Sequence, residues 1–346
     1  MNRVHAPVFV VGCPRSGTTL LYNMLLSSGN FAVYLAESNV FNLLLPRFGN
    51  PNNPSTRQRL VDVWLQSKLF RASFLDPNIR ARLLADCNSG GDFLRIVMGE
   101  MAKAQGVARW ADNSPEELLH VRTIKEQIPD ALFIHMIRDG RDVALSLNAR
   151  PYRWIRPFSW DTRNGLLVTG IFWEWMVQRG RRECRRLNDD HMEVRFEDLQ
   201  AQPQATLNKI GEFIQQDLDY ERIQQVGIGS VREPNTSFKG DPGSPVGRWK
   251  HKMGLKQLAT FEALVGATLQ DSGYSLAAHS EATNRLTVLR MKVIYRLYLD
   301  LKFWFKNSAL GRAYLGPLSG EQIDNTVIAK DPAAKKLQQG ESLISK

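Results

Sequence analysis

Cysteine is scarce in this chain: Cys13, Cys87 and Cys184 are the three among 346 residues. They are too few and too scattered for a disulfide framework or a cysteine metal site, which fits a reducing compartment. No apolar run reaches the roughly 18 to 20 residues of a membrane span. The first apolar run starts by residue 8, which leaves no room for a signal peptide. Acidic residues are in the minority, 35 Asp+Glu against 45 Lys+Arg, for a formal charge of +10. That sign favours an anionic ligand or surface, but no nucleic-acid motif accompanies it, so nucleic acid is not an expected partner. Internal repeats and acidic metal-ligand clusters are absent as well, and no metal is expected. What remains, 43% hydrophobic and 23% charged, is the composition of a globular protein long enough to bury a full core.

The chain is organised around its start. Residues 8–11, Val-Phe-Val-Val, form an unbroken apolar run, the pattern of a strand buried on both faces of a parallel sheet. Gly12 ends it, and Pro14-Arg15-Ser16-Gly17-Thr18-Thr19 leads into the helical pattern of Leu20, Leu21, Met24 and Leu25. A strand, a tight turn and a helix start together make an anion cradle, because turn N–H groups and the positive end of the helix dipole face the same spot. Gly12 and Gly17 keep the spacing of the phosphate-binding G-x-x-x-x-G-K-[ST] loop, but Thr18 stands at the lysine position. Arg15 supplies charge from inside the loop instead. Losing the lysine argues against ATP or GTP hydrolysis while keeping a phosphate grip. Cys13 has no Cys or His partner at catalytic spacing and reads as a packed thiol.

Further strands are expected at residues 31–35, 108–112, 131–137 and 191–196, with a surface loop over 46–57. Residues 60–105 read as a helical insertion broken at Gly90-Gly91 and facing the acceptor. A long amphipathic helix covers 166–187, and another covers 255–271. Arg138 and Arg141 cluster where the apolar run 131–137 ends, the point at which a parallel strand delivers side chains to a ligand. His135, inside that run, reads as a core histidine. The fold class is therefore α/β: a P-loop-like, mostly parallel sheet flanked by helices, with a C-terminal helical extension. In domain terms this gives 1–283 as the α/β unit, 284–318 as an amphipathic helical extension and 319–346 as a polar tail.

Pro14-Arg-Ser-Gly-Thr-Thr19 after an apolar strand resembles the 5′-phosphosulfate loop of sulfotransferases that use 3′-phosphoadenosine 5′-phosphosulfate (PAPS), in their carbohydrate and protein-tyrosine branch. The resemblance implies that Pro14, Arg15, Ser16, Gly17, Thr18 and Thr19 bind the 5′-phosphate and sulfonate of PAPS. Ile137-Arg138-Asp139-Gly140-Arg141-Asp142 with Ser146 resembles the family's 3′-phosphate element, which implies that Arg138 and Ser146 clamp that phosphate apart from the first loop. Gly247-Arg248-Trp249-Lys250 resembles its Gly-x-Trp-Lys element, which implies that Arg248 and Trp249 cover the adenine and 3′-phosphate. Glu37 lies at the distance from the loop where the branch carries its general base, and Arg15 and Glu37 are the implied catalytic pair. Two positions depart from the family: Asn113 stands where it often has lysine, with Arg109 or a basic residue from elsewhere as the substitute, and Phe196 replaces its tyrosine.

The implied activity is sulfonate transfer to a hydroxyl, or to an amine, of an acceptor such as a glycan, a lipid-linked glycan or a peptide tyrosine. A P-loop kinase and a catalytically silent nucleotide-binding module are the alternatives. Beyond residue 283 the resemblance stops. Residues 289–306 mix large apolar and aromatic side chains with Lys and Arg, which suits packing on the core, homo-oligomer formation or contact with an anionic membrane. The expected location is the cytoplasm, either free or peripheral at the inner membrane face.

Overall fold

The computed structural model describes residues 3–149, 161–232, 244–277 and 285–326. Among the described residues, four parallel strands form one sheet in the order β2-β1-β3-β4. They are β1 (Val8–Gly12), β2 (Ala111–Asp112), β3 (Leu132–Ile137) and β4 (His191–Arg195). In register, Val8 pairs with Ala111 and with Leu132, and Ile137 pairs with Arg195. Because all four strands run one way, their carboxyl ends share one edge.

Alternation along the strands serves two cores. Phe9, Val11, Phe133 and Ile137 enter one apolar cluster, with Trp173 and Phe172 of the helix Asp161–Cys184 and Phe93 of the helix Gly90–Ala104. Val8, Val10, Ile134 and Met136 enter the other, with α1 (Thr18–Ser27) and the helix Pro203–Ile214. Helices cover both faces, which explains why β1 and, His135 apart, β3 are apolar rather than alternating.

Several expectations change. Residues 31–35 do not form a strand: Phe31 makes one isolated bridge to Arg109, and the amide side chain of Gln105 takes over beyond it. Gln105 Oε1 accepts from Val33 N at 2.7 Å, and its Nε2 donates to Val33 O at 3.1 Å. The helical stretch is interrupted just before Gly90-Gly91: one helix ends at Asp86, and the glycines open the next, with the Ser89 side chain accepting from Asp92 N as its cap. The region read as a loop over 46–57 already contains the start of the helix Pro54–Gln66, capped by Asn53. The tail from 319 is not loose throughout, because the helix Gly320–Thr326 buries Ile323 and its Asp324 pairs with Arg71 at 2.7 Å. Residues 327–346, and 233–243 of the long loop before Trp249, lie outside the described residues.

Candidate active site

The loop between β1 and α1 is shaped by left-handed backbone at Arg15 (φ 76°) and Gly17 (φ 92°). Such backbone curls a turn so that successive N–H groups face one centre. Gly17 must be glycine on two counts. Its φ disfavours a Cβ, and a Cβ there would sit 2.2 Å from the ring of Phe196. No side chain caps the start of α1 and no acidic residue lies in its first turn, so the positive helix end is left for a ligand. Ser16 is fully buried, and its Oγ has no hydrogen-bond partner among the described residues. Thr18 is buried beside it, while Pro14 and Thr19 are half-buried.

Arg138 emerges from the carboxyl end of β3 directly against this loop. Its Nη1 donates to Arg15 O at 3.0 Å and its Nη2 to Pro245 O. The guanidinium lies 4.4 Å over the Phe196 ring, and Trp173 Nε1 donates to the Arg138 carbonyl at 3.1 Å. Arg138 is 6% exposed, yet its Nε finds no partner among the described residues. Burial lowers its pKa, Arg248 and Arg15 push the same way, and Asp142 and Glu197 oppose them. Those two carboxylates are already engaged. Asp142 accepts from Gly247 N at 2.6 Å and Trp249 N at 3.0 Å; Glu197 accepts from Asp139 N at 3.0 Å and the Tyr274 hydroxyl at 2.8 Å. Three arginines thus converge on one edge with their acidic neighbours spent on backbone and phenol, the electrostatics of an anion site.

The two expected phosphate clamps touch each other. Ser146 is the partner of Arg15, whose Nε donates to its Oγ at 3.0 Å, and Arg138 grips the backbone of the same Arg15. Arg141 is not part of a surface ion-pair cluster. It is buried, pairs with Asp139 at 2.7 Å and Glu262 at 2.6 Å, and its guanidinium lies 3.7 Å over the ring of Trp249. Trp249 is therefore held from below by Arg141 and by its own N–H to Asp142. A cavity of about 380 Å³ opens beside it, lined by Arg141, Asp142, Arg195, Trp249 and Tyr274. A larger one, about 510 Å³, lies along β4 and includes none of the residues expected in the site.

Glu37 lies half-buried on the segment that follows residues 31–35. Asn39, with left-handed backbone, donates from its side chain to the Glu37 carbonyl at 3.3 Å and from its N–H to Ser114 Oγ at 3.0 Å. Ser38 Oγ lies 3.3 Å from Ser114 Oγ. Ser114 in turn donates its N–H to Asp112 at the carboxyl end of β2, at 3.1 Å. The segment carrying Glu37 is thus tied to the same sheet edge as the loop. Beneath it, Glu117 accepts from Phe41 N at 3.0 Å, and burial raises the pKa of both Asp112 and Glu117, the Asp112 charge adding to the rise at Glu117.

Asn113 is buried with its Oδ1 unpaired among the described residues. Arg109 does not substitute for a lysine there. It precedes β2, at the opposite edge, where it donates to Ala6 O at 2.7 Å and Ile214 O at 2.9 Å. Burial, and secondarily Glu116, raises the Cys13 thiol pKa well above its ordinary value, which fits a packed thiol. His135, mid-strand and fully buried, lies with His191 and Glu193 so that their ligating atoms fall within 4.8 Å. That is the one group with metal-ligand spacing found among the described residues. It sits in the body of β3 and β4, and Arg181 holds both Glu193 oxygens at 2.9 Å.

The sequence marks the loop, Arg138, Arg141 and Trp249, but not the bracing around them by Phe196, Asp142 and Glu197. The signal for Phe196 was present, since an aromatic follows β4 directly at the ligand edge of the sheet.

A family model described as Sulfotransferase family matches residues 7–220. Protein-tyrosine sulfotransferase A of Caenorhabditis elegans is 24% identical over 214 residues, 62% of this chain and 50% of that protein. The chain thus spans about half the length of that curated relative. Among solved structures, the sulfotransferase domain of the Synechococcus PCC 7002 olefin synthase is 18% identical with a TM-score of 0.47, covering 78% of this chain and 96% of that one. The sulfotransferase domain from the curacin biosynthetic pathway is 16% identical, also with a TM-score of 0.47, covering 84% of this chain and 98% of that one. With the matched residues 7–220 containing the anion loop, Glu37, Arg138 and Ser146, the chain belongs to the sulfotransferase family.

Proposed function

We propose that this chain moves a sulfonate group from PAPS to the hydroxyl of an acceptor. The observation that carries the reading is the convergence of Arg138, Arg15 and Arg248 on the uncapped start of α1, with Arg138 buried and short of a carboxylate partner. A donor with phosphate at both ends of its nucleoside matches that charge better than one with a single phosphate site. The loop residues 14–19 hold the 5′-phosphosulfate, Arg138 and Arg248 the 3′-phosphate, and Trp249 the adenine side. Ser146 acts through Arg15, which it orients.

In the reaction, Glu37 takes the proton of the acceptor hydroxyl as its oxygen attacks sulfur. The bond from sulfur to the bridging phosphate oxygen breaks in line, and its electron pair stays on the leaving adenosine 3′,5′-bisphosphate. Arg15 and the N–H groups of the loop stabilise the charge that develops on that oxygen and on the sulfonate. The donor supplies the reactive group and the protein supplies position. Incubating the protein with sulfonate-labelled PAPS and a panel of hydroxyl acceptors tests this. Labelled product formed without added magnesium is the expected result. Failure to bind adenosine 3′,5′-bisphosphate, or magnesium-dependent transfer of the terminal phosphate of ATP instead, would overturn it.

A further inference from the structure

The helix Arg285–Asn307 is held on one side and bare on the other. Val288, Tyr295 and Leu299 are buried against the core. Lys292 donates to Glu174 at 2.9 Å, and Asp300 accepts from Trp175 Nε1 at 2.9 Å and pairs with Arg179 at 3.1 Å. On the opposite side Leu286, Leu289, Val293, Ile294, Leu297, Leu301 and Trp304 are each between 48% and 63% exposed. Apart from the adjacent Val293 and Ile294, they recur every three or four residues, which places them on one stripe of the helix. The next helix, Ala309–Leu315, adds Leu310 at 62% and Tyr314 at 80%. Ten of the fifteen large apolar side chains exposed among the described residues fall between Leu286 and Leu315. Concentration of that kind marks a contact surface rather than ordinary scatter.

Charge identifies what it contacts. From 285 to 315 the chain carries seven Lys or Arg residues and one acid, Asp300, which is already paired; Lys292 and Arg296 turn inward to Glu174 and Lys306 to Asn42. Arg290 is exposed within the stripe, and Lys302 and Arg312 are half-exposed. A second copy docked on the same face would bring two such basic helices together in a chain of +10, whereas an anionic lipid surface complements them. No helix among the described residues is long and apolar enough to cross a membrane, so this one would lie on the surface.

The stripe is also bolted to the acceptor side of the site. Lys306 Nζ donates to Asn42 Oδ1 at 2.7 Å, and Asn42 Nδ2 donates to Glu116 Oε2 at 2.6 Å. Arg47 donates to Gly316 O at 2.8 Å and Leu315 O at 2.9 Å. Asn42 lies in Val40–Leu44, the helical turn that begins three residues after Glu37. We infer that the outer face of residues 286–315 rests on an anionic lipid surface and that the acceptor is a hydroxyl-bearing amphiphile held in that surface. The acceptor half of this inference rests on the sulfonate-transfer reading; the docking half does not.

The test uses the full chain and vesicles of phosphatidylcholine with and without phosphatidylglycerol, read by co-sedimentation. Wild type should bind the anionic vesicles about ten-fold better than the neutral ones, and high salt should release it. Leu297→Glu with Leu301→Glu, at sites where both side chains face solvent, should lower that binding about ten-fold while melting temperature and binding of adenosine 3′,5′-bisphosphate stay unchanged. Sulfonate from labelled donor should enter a vesicle-borne glycolipid in preference to the same sugar without its lipid. Equal sedimentation of wild type and variant, or a wild-type dimer in light scattering that the variant dissociates, would overturn the docking. Preferential labelling of the free sugar would overturn the acceptor class. Loss of nucleotide binding in wild type would count against the sulfonate-transfer reading alone.

Discussion

The Arg138 guanidinium donates to the backbone carbonyl of Arg15 at 3.0 Å, joining two segments that lie 123 residues apart. The side chain that would read one end of the donor therefore also fixes the loop that would read the other. Ser146 completes the link by accepting from Arg15 Nε.

Binding losses at the two arginines should not add. Removing the Arg138 side chain frees the Arg15 backbone, so a later Arg15→Ala change has less left to remove. A double-mutant cycle on adenosine 3′,5′-bisphosphate affinity should give a coupling of about 0.5 to 3 kcal/mol. Additive losses would mean that the two arginines act apart.

Gly17→Ala should damage the loop. It forces a Cβ into backbone at φ 92° and against the Phe196 ring. Backbone strain alone costs about 1 to 3 kcal/mol, so thermal unfolding should come earlier and nucleotide affinity should fall. Adding Phe196→Ala should relieve the clash but not the strain, so the double variant should be more stable than the sum of the single losses. A Gly17→Ala protein that melts and binds like wild type would contradict the loop geometry.

Glu37→Gln keeps the size and hydrogen-bonding reach of the side chain but cannot take a proton. Turnover should fall by roughly 10² to 10⁴, with nucleotide affinity unchanged in calorimetry. Turnover within a few-fold of wild type would make Glu37 a structural residue of its segment.

Much of this was legible in the sequence because it is local. Residues 8–11 and, His135 apart, 131–137 are apolar because helices cover both faces of the sheet, and the loop and Arg138 follow from where those runs end. Contacts between distant segments were not legible. Nothing near Asp142 indicates that it will accept from Gly247 and Trp249, more than a hundred residues on. Residues 31–35 have a strand's composition, yet the Gln105 side chain satisfies Val33 in place of a neighbouring strand. Arg109 is a basic residue close in sequence to Asn113, but β2 separates them and directs it to the opposite edge. The polar sequence after 319 hides Ile323, one apolar residue in a short helix and fully buried.

Acid should remove the stability that two buried neutral histidines contribute. Burial lowers the His120 pKa from 6.5 to about 3, with Lys306 and Arg179 adding to the effect. Burial lowers that of His191 to about 4, with His135 and Arg181 adding to it. The unfolded chain takes up both protons as pH falls through 6.5, and the folded one resists until about 4 or 3. Their contribution to stability should therefore be full above pH 6.5 and decline from there downwards. His120→Phe, which keeps a ring beside Phe303, should flatten that decline in melts taken across pH; an unchanged slope would mean that His120 does not stay neutral in the fold.

The central claim is that Arg138 reads a 3′-phosphate on a nucleotide whose 5′ end lies in the loop. Calorimetric titration of wild type and Arg138→Ala with adenosine 3′,5′-bisphosphate and with adenosine 5′-phosphate tests it directly. A charge-assisted contact contributes about 1.5 to 3 kcal/mol, roughly ten- to a hundred-fold in affinity. Wild type should prefer the bisphosphate by about that factor, and Arg138→Ala should lose the preference. Bisphosphate binding of equal strength in the two proteins would contradict the account.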